Sequence, residues 1–483
     1  MAAEPSSVTP DVWTAGRISR LVVAVAAMVL CSVRIWVQCG NSFPAMREVC
    51  PLAVDMQTIA SMACYGLIAF IAWRFPRLVH PLAFGIATVV ATVCGTTLLV
   101  AGLSLQSAPV TVAGAVLAFS LGGTWPVIMV GITLCALGNR HDLVTAAVCG
   151  EAVGAALRCA IPDISLPVSV IVVCAVTVAL VVATHLYGVP FLKRAHMQVS
   201  VERLATTNPD SFLTPGHKLV ILVALFEFLH AVVLAERFTI FSLGSTLVTA
   251  LVICAGGAWL LAHRARQTED VLLCVATLAM LASFLLRPLS TAETMASDVL
   301  AIAGASFAWM LLWISMASVG MANPTGALWS LSICYVLQAF AIGAGSFVVG
   351  LADVSGVLHE HGLNVVNTIA ATALVGYVLV GLRGFSFTEA FRSIRPAIEL
   401  DAREASGEEV RRACAAISER YGLTDRERDV LELLACGQSG PQIQQRLVIS
   451  QNTAKTHVRH IYRKLGVHSQ REVIEMVDGA PVR

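Results

Sequence analysis

The chain has 483 residues and a formal net charge of only +1, and its composition is 57% hydrophobic and 13% charged. Soluble domains carry about 25% charged residues, so this composition excludes an ordinary soluble protein. The charges are also unevenly placed, because residues 1–382 hold 33 of them and residues 383–483 hold 30. Lipid is therefore the expected solvent for the first part of the chain, and water for the second.

Apolar runs fill the first part. A membrane-spanning helix needs about 20 mainly apolar residues. Twelve such runs are present, at 18–38, 52–73, 81–103, 110–137, 143–161, 164–187, 218–236, 243–262, 270–287, 296–319, 326–350 and 364–382. In the fourth run Pro126 removes a backbone donor, which predicts a kink in one helix rather than two spans. The first run is expected to be an uncleaved anchor, because it is long and contains Arg34.

The basic residues that flank these runs predict the orientation of the protein. If the N-terminus is cytoplasmic, the inner segments hold Arg17, Arg20, Arg74, Arg77, Arg140, Lys193, Arg194, Arg203, Lys218, Arg264 and Arg266. The outer segments hold only Arg47, Arg158, Arg237 and Arg287. We therefore expect a multi-pass protein of the cell membrane, with both termini cytoplasmic.

The twelve runs are divided by a polar loop at 188–217, with six runs on each side. Trp125 in run four and Trp309 in run ten occupy similar depths, which is a weak internal echo. This arrangement resembles the major facilitator superfamily, whose two halves are parallel repeats. The loop at 74–80 lacks the superfamily's usual motif of Gly and Asp-Arg. That departure bears on transport activity more than on the fold.

Ionisable side chains inside spans are costly and are therefore candidates for function. Glu151 lies in the middle of run five, and Glu227 lies in the middle of run seven with His230 one turn further on. The possible roles of these three side chains are ligand contact, proton coupling or membership of a buried hydrogen-bond network. Arg34 and Asp55 lie toward the outer ends of the first two spans, which predicts a structural ion pair between neighbouring helices.

Three tryptophans either pack in the core or line a central cavity. Trp309 and Trp313 share one helix face, and Trp125 lies in run four. If they line a cavity, the ligand is small and partly apolar or aromatic. The candidate ligand-binding residues are therefore Glu151, Glu227, His230, Trp125, Trp309 and Trp313.

The 14 cysteines are mostly scattered singly through apolar runs, without a CxxC pair. This pattern predicts neither a disulfide framework nor a metal cluster, and no cofactor is expected. Cys39 and Cys50 share the first outer loop, where a disulfide would persist. A bridge and two free thiols are both open alternatives.

Strong helix signals follow the membrane part. Residues 383–420 are expected to be a linker that ends in an amphipathic helix at 408–420. Thr424 and Glu427 then form a capping box, and Gly437 ends that helix. Ser439 caps a second helix, and Ser450 caps a third helix that runs to about residue 465.

The third helix has an apolar face and a basic face. Its expected core positions are Ala454, Val458, Ile461 and Leu465, and its basic stripe is Lys455, Arg459 and Arg463. From residue 433 to residue 471 the chain contains no Asp or Glu. A short turn before a basic helix is the geometry of a helix-turn-helix, in which the second helix of the motif enters the major groove. An acid-free basic surface suits the phosphate backbone, so double-stranded DNA is the expected partner.

These residues resemble the LuxR-type (GerE-like) DNA-binding domain. The matching segments are 423–427, 430–431, 437, 449–450, 453–457, 464–467 and 469–471. The resemblance implies a four-helix domain over about 421–478 that binds two-fold-related half-sites as a homodimer. It implies base contacts from Lys455, Thr456 and Arg459, and backbone contacts from Ser450, Asn452, Thr453 and Arg463. The fourth helix, about 471–477, resembles the family's dimerisation element.

Two positions depart from the family pattern. Gln444 stands where an Ala is usual on the second helix, and Ala454 stands where a Val is usual on the third. The first departure bears on how the second helix packs, and the second shrinks one core contact. Neither removes the basic stripe.

Together these features predict an all-α protein with three parts: a membrane sensor module at 1–382, a linker with a helix at 383–420, and a DNA-binding domain at 421–483. Residues 383–420 are too few for a phosphoacceptor receiver domain, so the input is expected through the membrane module, from a small molecule. Catalytic and nucleotide-binding motifs are absent from the sequence, which predicts that the protein is not an enzyme. The alternatives are a transporter with a regulatory tail, or a regulator whose membrane part is only an anchor.

Overall fold

Every regular element in the described residues is a helix. The computed structural model describes residues 10–159, 164–195, 218–236, 243–263, 268–286, 296–354, 362–383, 411–435, 443–444, 447, 450–467, 472–473 and 476–477. The chain divides into two compact units, Met1–Arg395 and Pro396–Arg483. The all-α class that the sequence predicts is confirmed.

The helices of the first unit follow the predicted apolar runs. They are α1 (Pro10–Val37), α2 (Phe43–Val49), α3 (Ala53–Arg74), α4 (Pro81–Ser104), α5 (Ala108–Ala115), α6 (Gly122–Cys135), α7 (Arg140–Arg158), α8 (Leu166–Ala195), α9 (Lys218–Glu236), α10 (Leu243–His263), α11 (Thr268–Leu286), α12 (Ala296–Ala322), α13 (Pro324–Val354) and α14 (Gly362–Gly376). π-Helical turns occupy Gln38–Ser42, Val116–Leu121 and Tyr377–Gly381, and a 3-10 turn occupies Pro76–Leu78. A helix coincides with each of the twelve runs, and the fourth run is one continuous segment through Pro126, as predicted.

Nine segments within the described residues are long and apolar enough to cross a membrane. They are Arg17–Val49, Ala53–Arg74, Pro81–Ser104, Ala108–Cys135, Leu166–Lys193, Gly244–Ala262, Glu269–Leu286, Ala296–Ala322 and Gly326–Val349. The helices at the other three predicted runs differ in composition or length. α7 carries several charged side chains, and the apolar parts near α9 and α14 are the shorter segments Val220–Val232 and Ala371–Gly381.

Large apolar side chains cover the outside of this bundle. Exposed examples on several helices are Ile59, Leu67, Phe70, Leu82, Ile86, Ile171, Leu186, Leu251, Phe340 and Phe347. A soluble protein rarely exposes so much contiguous apolar surface, whereas lipid solvates it without cost. The exterior of the first unit is therefore suited to lipid, as the sequence predicts for residues 1–382.

The two halves of the first unit, α1–α8 and α9–α14, pack by one repeated pattern. α1 packs on α7 in the first half, and α9 packs on α13 in the second. α4 likewise packs on the α5–α6 segment, and α11 packs on α12. Between the halves, α3 meets α13 and α7 meets α10. Number the helices at the twelve predicted apolar runs in chain order. Moving both members of one contact six places along this order then gives another of the contacts. Parallel repeats are expected to show this relation.

Glycines bring α4 into backbone contact with α5 and with the π-helical turn that follows α5. A Cβ atom on Gly95 would lie 2.2 Å from the backbone nitrogen of Ala118, and one on Gly114 would lie 2.4 Å from that of Leu99. Only hydrogen fits in these places. The third and fourth spans therefore approach more closely than side chains allow, as small residues permit in membrane bundles.

Two expectations about the outer part of the bundle can be compared with the structure. The predicted ion pair between Arg34 and Asp55 is wrong: Arg34 donates instead to Thr177 and to two backbone carbonyls, and Asp55 interacts electrostatically with Arg47. The two side chains lie on adjacent spans, but helix rotation directs them to different neighbours. Cys39 and Cys50 are both free thiols, which is the second of the two alternatives.

The second unit contains three well-described helices, α15 (residues 411–421), α16 (Asp425–Ala435) and α17 (Gln451–Leu465). They share a core of Ala413, Cys414, Ile417, Val430, Leu431, Leu434, Ile443, Ile461, Leu465, Val467, Val473 and Val477. α15, which the sequence places with the linker, thus packs into this core. Most of the predicted second and fourth helices lies outside the described residues.

Candidate functional sites

The third helix of the second unit begins and ends as the sequence predicts. Ser450 is the N-cap of α17, and its Oγ accepts a hydrogen bond from the Thr453 amide at 3.2 Å. Gly466 ends the helix in the left-handed conformation, with φ of 68°. These caps fix which residues belong to the buried face and which to the exposed face.

The exposed face of α17 holds the residues predicted to contact DNA. Ala454, Ile461 and Leu465 are buried in the core, as expected. The exposed residues on the helix and its cap include Ser450, Asn452, Thr453, Lys455, Thr456, Arg459 and Arg463. Within the described residues, Lys455, Arg459 and Arg463 form no ion pair. Their charges are therefore available to a phosphate backbone or to base edges.

Lys464, the neighbour of Arg463, has a different role that sequence reasoning missed. Its Nζ lies 2.8 Å from Glu427 Oε2 and donates to the carbonyl of Gly422 at 2.8 Å. Lys464 belongs to the acid-free basic stretch, but here it holds α17 against the start of α16. Nothing in the local sequence pattern indicated this pairing, because Lys464 and Glu427 lie 37 residues apart.

The capping box itself is present. The Thr424 amide donates to Glu427 Oε2 at 2.8 Å, and the Glu427 amide donates to Thr424 Oγ1 at 3.3 Å. Burial alone would raise the pKa of Glu427, but the hydrogen bonds from Lys464 and Thr424 outweigh it and lower the pKa to about 2. Glu427 is thus ionised at neutral pH and orients the helix that carries Lys455 and Arg459.

In the membrane unit, the candidate carboxylates form separate local pairs. Glu151 is buried on α7, and its Oε1 lies 2.9 Å from Arg158 Nη2. Arg158 also donates to Ser32 at 2.9 Å. Glu227 is buried on α9, and its Oε2 lies 3.9 Å from His230 Nδ1. Sequence reasoning identified these two acids but missed Arg158 as the partner of Glu151.

The three candidate tryptophans belong to the main core of the membrane unit. Trp125 and Trp313 are buried and Trp309 is partly buried. Trp313 lies 6.1 Å from Trp309 and 5.9 Å from Tyr335, measured between ring centroids. Trp125 packs separately against Phe84 at 4.8 Å. Trp313 and Trp309 therefore form one aromatic group, and Trp125 belongs to another.

A small cavity lies between the two halves of the bundle. It is lined by Trp36, Ala155, Arg158, Thr246, Thr249, Ala250 and Ile302. The candidate ligand residues predicted from the sequence are not part of this lining. The Arg158 guanidinium also lies over the Trp36 ring, 5.3 Å from its centroid. In the described residues, no cluster of His, Cys, Asp and Glu has the arrangement of a metal site.

Charged pairs join helix ends on the side that the basic residues assign to the cytoplasm. Arg17 of α1 makes two hydrogen bonds of 2.6 Å to Asp142 of α7. Arg140 of α7 binds Glu269 of α11, and this pair links the two halves. Glu269 is only 1% exposed, so the ion pair compensates a buried carboxylate.

Comparison with known proteins identifies the C-terminal domain. Residues 422–477 match the family model GerE, described as "Bacterial regulatory proteins, luxR family". A probable transcriptional regulatory protein NarL of Mycobacterium tuberculosis is 53% identical over 45 residues, which are 9% of this chain and 21% of that protein. A nitrate/nitrite response regulator protein homolog of Haemophilus influenzae is 52% identical over 48 residues, which are 10% of this chain and 23% of that protein. The chain thus spans about a fifth of the length of these relatives.

A solved structure resembles the membrane unit. The proton:xylose symporter XylE of the major facilitator superfamily aligns with 79% of this chain and 100% of its own, with a TM-score of 0.53 and 13% identity. Identity this low establishes a shared fold and nothing further. The apolar helices and this fold together make the protein a multi-pass membrane protein. The chain therefore joins a luxR-type helix-turn-helix domain to a polytopic helical bundle with the fold of the major facilitator superfamily.

Proposed function

We propose that the protein is a membrane-tethered one-component transcriptional regulator. Its membrane module, residues 1–382, senses a small molecule, and the segment 383–420 connects that module to the DNA-binding domain at 421–483. The observation that carries this proposal is the presence of both parts in one chain. A signal received by the bundle then needs no second protein to reach DNA.

The proposed DNA contacts follow from the exposed face of α17. Lys455, Thr456 and Arg459 read base edges in the major groove. Ser450, Asn452, Thr453 and Arg463 position the domain on the phosphate backbone. Two observations support this assignment. These residues are exposed, whereas the neighbouring Lys464 is paired with Glu427. DNA binding is as a homodimer on two-fold-related half-sites, because a C2 dimer matches palindromic DNA.

In this proposal both termini are cytoplasmic. An even number of spans returns the chain to its starting side, and the basic residues favour a cytoplasmic N-terminus. The luxR-type domain is then on the side of the membrane that holds DNA. Reporter fusions after residues 195 and 383, which follow α8 and α14, test the topology, and both are expected to report the cytoplasmic side.

Control by a ligand requires that it bind two states of the module with different affinity. The test is transcription of the genes next to this one, with and without candidate small molecules, in the wild type and in a deletion of residues 421–483. We expect a response to one compound that the deletion abolishes. A response that survives the deletion would contradict the proposal, because it would not need the DNA-binding domain.

A second candidate function is small-molecule transport, with the DNA-binding domain as a regulatory tail. The shared fold of a proton:xylose symporter and the buried Glu227–His230 pair favour it. In that case Glu151, Glu227 and His230 couple protons to substrate movement. The test is uptake by vesicles containing the full chain, with Glu227→Gln as the variant. Uptake driven by a proton gradient and lost in the variant would establish transport.

A further inference from the structure

Arg34 on α1 is a buried cation whose partners among the described residues are all neutral. It is 2% exposed, and its Nε donates to Thr177 Oγ1 at 3.0 Å. Its Nη2 donates to the carbonyls of Ala118 and Gly122 at 3.0 and 3.1 Å. Among the described residues no carboxylate lies within ion-pair distance of Arg34. Every other buried charge reported above, by contrast, has an opposite charge or a titratable partner.

The fourth span is shaped around this guanidinium. Pro126 has no backbone N–H, so the carbonyl of Gly122, four residues earlier, lacks its normal helical donor and is free to accept from Arg34. Ala118 belongs to the π-helical turn Val116–Leu121, a feature often found at functional sites. A Cβ atom on Gly123 would lie 2.9 Å from Arg34 Nη1. The backbone therefore fixes the position of the charge without neutralising it.

An aromatic group lies beside this charge. α3 packs on the same turn that holds Arg34, because Ser61 donates to Ser120 at 3.0 Å, and Tyr65 lies one helical turn after Ser61. The Tyr65 ring stacks on Tyr335 of α13 at 5.1 Å, and Tyr335 meets Trp313 edge-on at 5.9 Å. α1 and α3 belong to the first half of the bundle, whereas α12 and α13 belong to the second. The group thus bridges the two halves.

Two buried polar atoms of α13 near this group have no partner in the part of the chain that the structure describes. They are the Tyr335 hydroxyl and Nε2 of Gln338, which follows by three residues and so lies on the same helix face. Both atoms can donate a hydrogen bond, as the guanidinium does. Buried donors without acceptors are costly, and a bound acceptor would remove that cost.

We propose that Arg34 binds the anionic group of a small ligand, whose apolar or aromatic body packs against the group formed by Tyr65, Tyr335 and Trp313. The inference deepens the proposed sensing function and rests on it for its biological meaning. A carboxylate, phosphonate or sulfonate supplies the missing counter-charge and accepts from the orphaned donors. The aromatic rings supply the apolar walls that such sites require. Because both halves contribute, occupancy favours the conformation in which they are closed on the ligand.

The test uses the full chain in lipid nanodiscs and follows thermal unfolding and tryptophan fluorescence. The probes are benzoate, phenylphosphonate and benzenesulfonate, with benzamide as the neutral isostere of benzoate. We expect at least one anion to bind roughly tenfold or more tightly than benzamide. Arg34→Lys, which loses the planar fork, is expected to weaken that binding about tenfold, and Tyr335→Phe about threefold. Arg77→Lys, an exposed substitution, is expected to leave it unchanged.

The proposal is overturned if none of the three anions binds, if benzamide binds equally well, or if Tyr335→Phe and Arg34→Lys both bind as the wild type does. Should Arg34→Lys fail to fold, the Tyr335→Phe variant decides, because it removes one oxygen atom and leaves the charge. The readout does not involve DNA. If the anion binds but does not change promoter occupancy, only the proposed regulatory function is contradicted. If a neutral ligand controls the promoter equally well in the wild type and in Arg34→Lys, only the proposed site is contradicted.

Discussion

Lys464 Nζ lies 2.8 Å from Glu427 Oε2, and this ion pair joins the last turn of α17 to the capping box of α16. Glu427 is 4% exposed and also accepts from Thr424. Glu427→Gln is therefore expected to destabilise a fragment beginning at Pro396 by about 1–3 kcal/mol. Denaturant unfolding measures this. Asp429→Asn, in an exposed pair with Arg426, serves as the control and is expected to change stability by less than about 0.5 kcal/mol.

The same carboxylate predicts a pH dependence. Because the pKa of Glu427 is lowered to about 2 in the folded domain, its stabilising contribution is complete above the ordinary value of 4.5. It is lost as the pH falls from 4.5 through 2. The stability difference between wild type and Glu427→Gln should thus shrink between pH 5.5 and pH 2.5. A difference that stays constant over this range would show that the ion pair contributes nothing.

The exposed cations of α17 predict the loss of DNA binding. Lys455→Ala and Arg459→Ala are each expected to weaken operator binding by about 1–3 kcal/mol. Arg463→Ala is expected to lower the slope of log affinity against log salt concentration by about one, because it removes one phosphate contact. Mobility-shift titrations at several salt concentrations separate these effects. Arg420→Ala, an exposed cation on α15, is the matched control. If Lys455→Ala and Arg459→Ala both bound DNA with wild-type affinity, α17 would not be part of the DNA interface.

The Arg140–Glu269 pair between the two halves predicts that its two single variants lose different amounts of stability. Arg140→Gln leaves a buried carboxylate without its partner and is expected to cost roughly 3 kcal/mol. Glu269→Gln removes the buried charge itself and is expected to cost less. Thermal unfolding of the full chain in detergent compares the two variants with the double variant. Equal costs for the single variants would mean that Glu269 is compensated in another way.

The contact of α4 with the π-helical turn Val116–Leu121 predicts that Gly95→Ala disrupts the bundle, because the new methyl group would lie 2.2 Å from the backbone nitrogen of Ala118. A loss of folded protein or a Tm lowered by several degrees is expected in detergent. Gly376→Ala is the control, since nothing lies within 4 Å of its Cβ position. A neutral Gly95→Ala variant would show that the third and fourth spans are not packed backbone to backbone.

The sequence predicted local features best. The capping box of Thr424 and Glu427, the Ser450 cap and the buried positions Ala454 and Ile461 depend on spacings of a few residues, and all are present. Helix positions in the membrane unit were likewise predictable, because lipid imposes length and apolarity.

Side-chain partners far apart in the sequence were not predictable. Arg34 was expected to pair with Asp55 on the next span, but its partners lie 84 to 143 residues away. The pairing of Lys464 with Glu427, 37 residues away, was likewise not predicted. Helical periodicity gives the face of a residue relative to its own helix, whereas the rotation of each helix is set by tertiary packing. Such pairs therefore require the fold.

The central claim is that the membrane module controls the DNA-binding domain, and exchange of that module tests it most directly. Residues 1–382 are replaced by an unrelated anchor with a cytoplasmic C-terminus, and transcription from the target promoter is measured with and without the inducing compound. We expect the exchanged protein to reach the membrane and bind its operator but to lose the response to the compound. An unchanged response would show that the membrane module is only an anchor.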